Sequence, residues 1–81
     1  MILVDVQVPS LDGIYDFELD EKMEVCEVVT QIFEMIALQE NGVKEPGQEM
    51  FLYAIRKESI LNPQKTLEQQ GIQNGESLIV I

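Results

Sequence analysis

Thr66-Leu67-Glu68-Gln69-Gln70-Gly71-Ile72-Gln73-Asn74-Gly75-Glu76-Ser77-Leu78-Ile79-Val80-Ile81 is the segment from which the architecture is read. Thr66 to Gln70 reads as a single helical turn capped by the Thr66 hydroxyl, with Leu67 pointing inward. Asn74-Gly75 is strong turn chemistry, because both residues tolerate left-handed backbone. Ser77 to Ile81 then reads as a closing strand. If Leu78 and Val80 face a core, the two-residue period of a strand places Ile79 and Ile81 on the opposite side.

Working outward, the other end of the chain supplies a matching pair of strands. Ile2, Val4, Val6 and Val8 alternate with Leu3, Asp5 and Gln7, the pattern of a strand with one buried face. Pro9-Ser10-Leu11-Asp12-Gly13 is a turn, in which proline fixes one φ and Gly13 is free to take a positive φ. Ile14 to Leu19 alternates again, with Tyr15, Phe17 and Leu19 inward and Asp16 and Glu18 outward. Two such runs around a short turn predict an antiparallel hairpin.

From Glu24 to Glu40 the period changes. Val25, Val28, Val29, Ile32, Met35 and Ile36 fall on one stripe at helical spacing, with Glu24, Glu27, Gln31 and Glu34 opposite. Acids in the first turns suit the positive end of the helix dipole. Asp20 is the best capping residue available, although it lies early, and Asn41-Gly42 is a stop signal. Leu38 projects from the polar side, to cover the following chain or to enter an interface. Val43 to Glu49 reads as a loop and Met50 to Ile55 as a strand. Arg56 to Ser59 reads as a turn, and Ile60-Leu61 as a very short strand before Asn62-Pro63.

The predicted order is β-β-α-β-β-(short helix)-β, an α+β class. It has one natural solution, a mixed sheet of four to five strands with the helix laid across it and the last strand parallel to the first. That is a β-grasp. The expected core joins the helix stripe to Val4, Val6, Phe17, Leu19, Leu52, Leu67, Ile72, Leu78 and Val80. With 81 residues, the chain has room for one domain, residues 1–81, around one modest core.

The ending quoted above resembles that of the ubiquitin family. There a threonine-leucine pair opens a short helix, an isoleucine plugs the core, a polar turn follows and an alternating strand closes the sheet. Within that superfold the chain looks most like the YukD/EsaB-like proteins of bacterial type VII secretion. The match lies in its length, in Leu67 followed by Gly71-Ile72, in Asn74-Gly75 with the acid Glu76, and in the hairpin from Ala54 to Leu61. The resemblance implies a small bacterial cytosolic accessory component that acts through protein contacts. Conjugating modifiers and sulfur carriers differ, because they need a flexible tail ending in two glycines. Leu78-Ile79-Val80-Ile81 instead lies within the expected strand, so that role is a distant alternative.

Composition narrows the function classes. Hydrophobic residues make up 46% and charged residues 25% of the chain, an ordinary globular balance. The formal charge of −10 disfavours nucleic acid and anionic membrane surfaces, whose negative groups need cations. Residues 1–40 carry Asp5, Asp12, Asp16, Glu18, Asp20, Glu21, Glu24, Glu27, Glu34 and Glu40 against the single base Lys22. This acidic half either recruits a basic partner, as a free-standing regulatory adaptor would, or is simply a soluble surface. The apolar runs Ile2–Val4 and Leu78–Ile81 are too short to cross a bilayer. No basic leader opens the sequence, so a cytoplasmic protein is expected.

No catalytic, metal or cofactor constellation emerges. Cys26 is the one cysteine and there is no histidine to activate it; it is expected to be an inert, semi-buried thiol. The acids Asp16 with Glu18, and Glu24 with Glu27 and Glu34, read as solvated faces and not as cation sites. Gly71 and Gly75 are turn glycines. What remains is the outer sheet face. If Leu52 and Ala54 point inward, Phe51 and Tyr53, with Ile55 beside them, join Ile79 and Ile81 in an apolar, partner-binding patch. The opposite phase would bury Phe51 and Tyr53 and expose Leu52.

Overall fold

A computed structural model describes residues 1–39 and 50–81. The hairpin, helix and closing strand appear as β1 (Ile2–Val8), β2 (Gly13–Leu19), α1 (Val25–Gln39), β3 (Leu52–Ala54), β4 (Ser59–Ile60) and β5 (Ser77–Val80). A single 3₁₀ turn, Pro9–Leu11, links β1 to β2. The five strands form one mixed sheet in the order β2-β1-β5-β3-β4, in which β5 runs parallel to β1 and antiparallel to β3. This is the expected β-grasp. The expected Asn41-Gly42 helix stop and the Val43–Glu49 loop lie outside the described residues.

Each element follows from its sequence, with instructive differences. In the β1–β2 turn Asp12, and not Gly13, takes the left-handed conformation, at φ 51°. Proline starts the 3₁₀ turn, and Asp12 closes it by donating its backbone N–H to the Pro9 carbonyl. Gly13 is already part of β2. The Tyr15 ring lies where a Gly13 Cβ would meet it at 3.1 Å, so a larger residue would push the ring aside.

The helix start also differs. Asp20 caps the preceding turn, its Oδ1 accepting from the Lys22 N–H, and does not cap the helix. The first helical N–H groups are satisfied from elsewhere in the chain: Val25 donates to the Lys65 carbonyl and Cys26 to the Pro63 carbonyl, both at 3.0 Å. The segment 63–65 thus docks on the helix N-terminus. Cys26 is exposed rather than semi-buried.

Thr66 does cap the following turn. Its Oγ1 accepts from the Gln69 N–H while Gln69 Oε1 accepts from the Thr66 N–H, a reciprocal capping box. The turn continues through the bonds Gln70 to Leu67 and Gly71 to Glu68, and Leu67 is driven fully into the core. β3 is shorter than the apolar run Met50–Ile55, and β4 begins at Ser59 because Ser59 pairs with Ala54.

The core lies between α1 and the inner sheet face. All the residues expected there except Met35 are buried, together with Phe33 and Leu61. Phe33 sits on the edge of the helix stripe and widens it beyond the expected set; Met35 is only half-buried. Leu38 is 87% exposed.

Leu67 links the capped turn to the core without polar compensation. Leu67→Ala is therefore expected to lower unfolding free energy by about 2–5 kcal/mol, measured by denaturant titration. A loss below ~1 kcal/mol would show that the capped turn is not packed as described.

Candidate functional site: the outer face of the sheet

The inner and outer faces of β3 and β5 are set by period two. Leu52, Ala54, Leu78 and Val80 are buried beneath the helix, which turns their neighbours outward. Tyr53 stands directly opposite Ile79, and on its other side opposite Ile60 of β4. Ile79 stands opposite Gln7 of β1, which faces Ile14 of β2. One row of side chains therefore crosses the whole sheet: Ile14, Gln7, Ile79, Tyr53, Ile60.

A second apolar pair adjoins it. Phe51 and Ile81 exchange backbone hydrogen bonds of 3.1 and 2.9 Å, which fixes them opposite each other and on the face of Tyr53 and Ile79. Phe51, Tyr53 and Ile79 are half-buried, while Ile81 is 48%, Ile55 38% and Ile60 55% exposed. The structure thus brings together Phe51, Tyr53, Ile79 and Ile81, and joins Ile55 and Ile60 to them. Ile60 was legible in the sequence only as part of a short strand. Its place on this face depends on pairing with Tyr53, and nothing in a two-residue strand signals which side it takes.

Beyond the patch the face turns acidic. Asp16, Asp5 and Ser77 occupy the neighbouring row, and the Ser77 hydroxyl donates to Asp5 Oδ1 at 2.8 Å. Glu18 follows, opposite Leu3. The other expected acids, Glu24, Glu27 and Glu34, lie exposed around α1. Among the described residues no group of three or more acidic, histidine or cysteine side chains gathers as a metal site.

A clamp at one end holds β3 and β5 in register. Arg56, in the turn after β3, donates to Glu76 Oε2 at 2.9 Å and to the Gly71 carbonyl at 3.3 Å. The same carboxylate oxygen accepts from the Gln73 N–H at 2.7 Å. The Glu76 side chain is 7% exposed, so its charge is held away from most solvent, whereas Arg56 is largely in water. The Arg56 hydrogen bond pulls the Glu76 carboxyl below its ordinary pKa; burial opposes the shift, and the Gln73 N–H adds to it. Gly75, at φ 90°, makes the tight turn into β5.

A five-stranded mixed sheet wrapped on one helix, with a short capped turn before a parallel closing strand, defines a ubiquitin-like protein. The fold matches the ubiquitin-like domain of an Arabidopsis thaliana protein (25% identity, TM-score 0.69, covering 99% of this chain and 74% of that one). It also matches the ubiquitin of Caldiarchaeum subterraneum (21%, TM-score 0.74, 99% and 90%). A third similar structure is the EccD5 ubiquitin-like domain from Mycobacterium xenopi (15%, TM-score 0.75, 99% and 91%). No curated protein matches the sequence significantly. The family model described as "WXG100 protein secretion system (Wss), protein YukD" matches residues 3–80, and the chain belongs to that family.

The clamp gives a sign-defined pH dependence. Because the folded-state pKa of Glu76 is lowered, the unfolded chain binds the proton first. The stability contributed is complete above the ordinary carboxylate range and is lost as pH falls through the lowered value. Glu76→Gln is expected to remove this component, so that its unfolding midpoint falls less than the parent's between neutral and acid pH. Thermal melts across that range check it; equal acid sensitivity in the two proteins would count against the clamp.

Proposed function

We propose that this chain is a ubiquitin-like accessory component of a bacterial WXG100 protein secretion system. It acts by binding another protein of that machinery through the outer face of β3 and β5. Membership of the YukD family supports the system. The observation that carries the surface is the row in which Tyr53 and Ile79 stand side by side, flanked by Phe51, Ile60 and Ile81. A contiguous apolar patch bordered by charge is the usual composition of a protein-binding site, because burying it returns free energy that a solvated surface cannot. Half-buried aromatic and isoleucine side chains lose little conformational freedom on docking, which suits them as central contacts.

No reaction is assigned to the chain. It works as a binding module on the cytoplasmic side, in keeping with its lone thiol. No helix among the described residues is long and apolar enough to cross a membrane.

Replacing Tyr53 with a photo-crosslinking aromatic residue in producing cells is expected to yield an adduct with one component of the secretion machinery. Tyr53→Lys and Ile79→Lys should each reduce the interaction with that component by about tenfold or more, while the circular dichroism spectrum is kept. Adducts that form only from probes on the exposed side of α1, such as Glu27 or Glu34, would move the site to the helix.

A further inference from the structure

The open edge of β2 has a chemistry of its own. β2 is the outermost strand, and among the described residues no element pairs with its far side. Its seven residues pair with β1 in unbroken register, with no bulge, and they contain neither proline nor lysine. Natural edge strands are usually blunted by such devices or kept very short. At the opposite edge, β4 is only two residues long.

The direction of the free backbone groups follows from the neighbouring bonds. Asp5 donates its N–H to the Glu76 carbonyl, and the Leu3 carbonyl accepts from Gly75, so the backbone groups of residues 3, 5 and 7 face β5. Those of residues 2, 4, 6 and 8 therefore bond to β2, at its residues 19, 17, 15 and 13. The N–H and C=O groups of Ile14, Asp16 and Glu18 are left pointing out of the sheet. The same three residues expose their side chains on the outer face. In addition, Asp5 and Asp16 oppose each other at a position without mutual hydrogen bonds, where cross-strand side chains come closest. Like charges placed so destabilise a sheet, and a cation brought alongside relieves them.

We infer that this edge accepts an extended basic segment of a partner protein as a sixth strand. Residues of that segment opposite Glu18 and Asp16 carry lysine or arginine, and the residue opposite Ile14 is apolar. In antiparallel register the segment reads basic-x-basic-x-apolar from its N-terminus; in parallel register the order reverses. Its intervening positions turn toward the helix side, beside Tyr15 and Phe17. Self-pairing is disfavoured by the same acids, because two β2 edges centred on Asp16 would set Asp16 against Asp16. This surface is distinct from the apolar patch and does not depend on it.

The probe is a short labelled peptide with lysine, valine, arginine, valine and isoleucine as its central residues, titrated into the full chain at low salt. Amide protons of Ile14, Asp16 and Glu18 should gain protection from hydrogen exchange. Methylating the backbone nitrogens of the peptide's lysine and arginine should weaken binding by about tenfold or more, since in the antiparallel register for which this peptide is ordered those N–H groups bridge to β2. The double variant Asp16→Lys with Glu18→Lys should lose the peptide and bind its counterpart carrying glutamates at the two basic positions. Glu27→Lys, which makes the same charge reversal on the exposed side of α1, should bind the peptide as the parent does. No binding at millimolar peptide, undiminished binding of the methylated peptide, or protection confined to β3 and β5 would each overturn the inference.

Discussion

The parallel contact between β1 and β5 is the constraint on which the rest of the structure depends. Asp5, Val6 and Gln7 pair with Ser77, Leu78 and Ile79, so segments from opposite ends of the sequence meet at the centre of the sheet. Parallel neighbours cannot be joined by a tight turn, and the long connection between them must carry the helix and the β3–β4 hairpin across the sheet. β5 also pairs with β3, so without it the sheet separates into two hairpins that share no ladder. The entry to β5 is secured by polar contacts as specific as its apolar ones. The Asn74 side chain accepts from the Leu3 N–H and Gly75 donates to the Leu3 carbonyl, both at 2.7 Å. Together these bonds set the register of the whole sheet, because a slip by one residue would turn Leu78 and Val80 to solvent.

Much of this was legible because the two hydrophobic periods are clean. Val4, Val6, Phe17 and Leu19 alternate without interruption, and the helix stripe from Val25 to Ile36 holds its spacing. What escaped the sequence is what depends on contacts between distant segments. The helix N-terminus is satisfied by the carbonyls of Pro63 and Lys65, and no local capping rule contains that information. Asp12, rather than Gly13, took the positive φ because the 3₁₀ turn begun by Pro9 closes one residue earlier than a plain hairpin turn. Phe33 was missed because a helix packed across a sheet buries more than its narrowest apolar stripe.

The outer face was only half legible for a similar reason. Ser77 to Ile81 has a single plausible phase, so Ile79 and Ile81 could be placed outward directly. Met50 to Ile55 is nearly all apolar, and its phase was settled only when Leu52 and Ala54 were found opposite Val80 and Leu78. Ile60 gained its position from Tyr53 alone. Which residues of β2 leave their backbone groups open could not be known before the strand order and the β1–β5 register were fixed.

The face and the edge differ in what they offer a partner. On β5, ladders run on both sides, so recognition there must come through side chains, by shape and apolar area. On β2, whose outer edge no element among the described residues pairs with, the proposed recognition is by hydrogen bonding and charge. The first kind of contact is insensitive to ionic strength, while the second weakens with salt. The two are also close. The row Ile14, Gln7, Ile79, Tyr53 steps across three strand spacings of about 4.8 Å, roughly 14 Å in all. An extended chain covers that span in about five residues. A single partner segment that pairs along β2 and then crosses the sheet could reach Tyr53 without a long linker. Each contact would then raise the effective concentration for the other, so two individually weak surfaces would suffice for firm attachment.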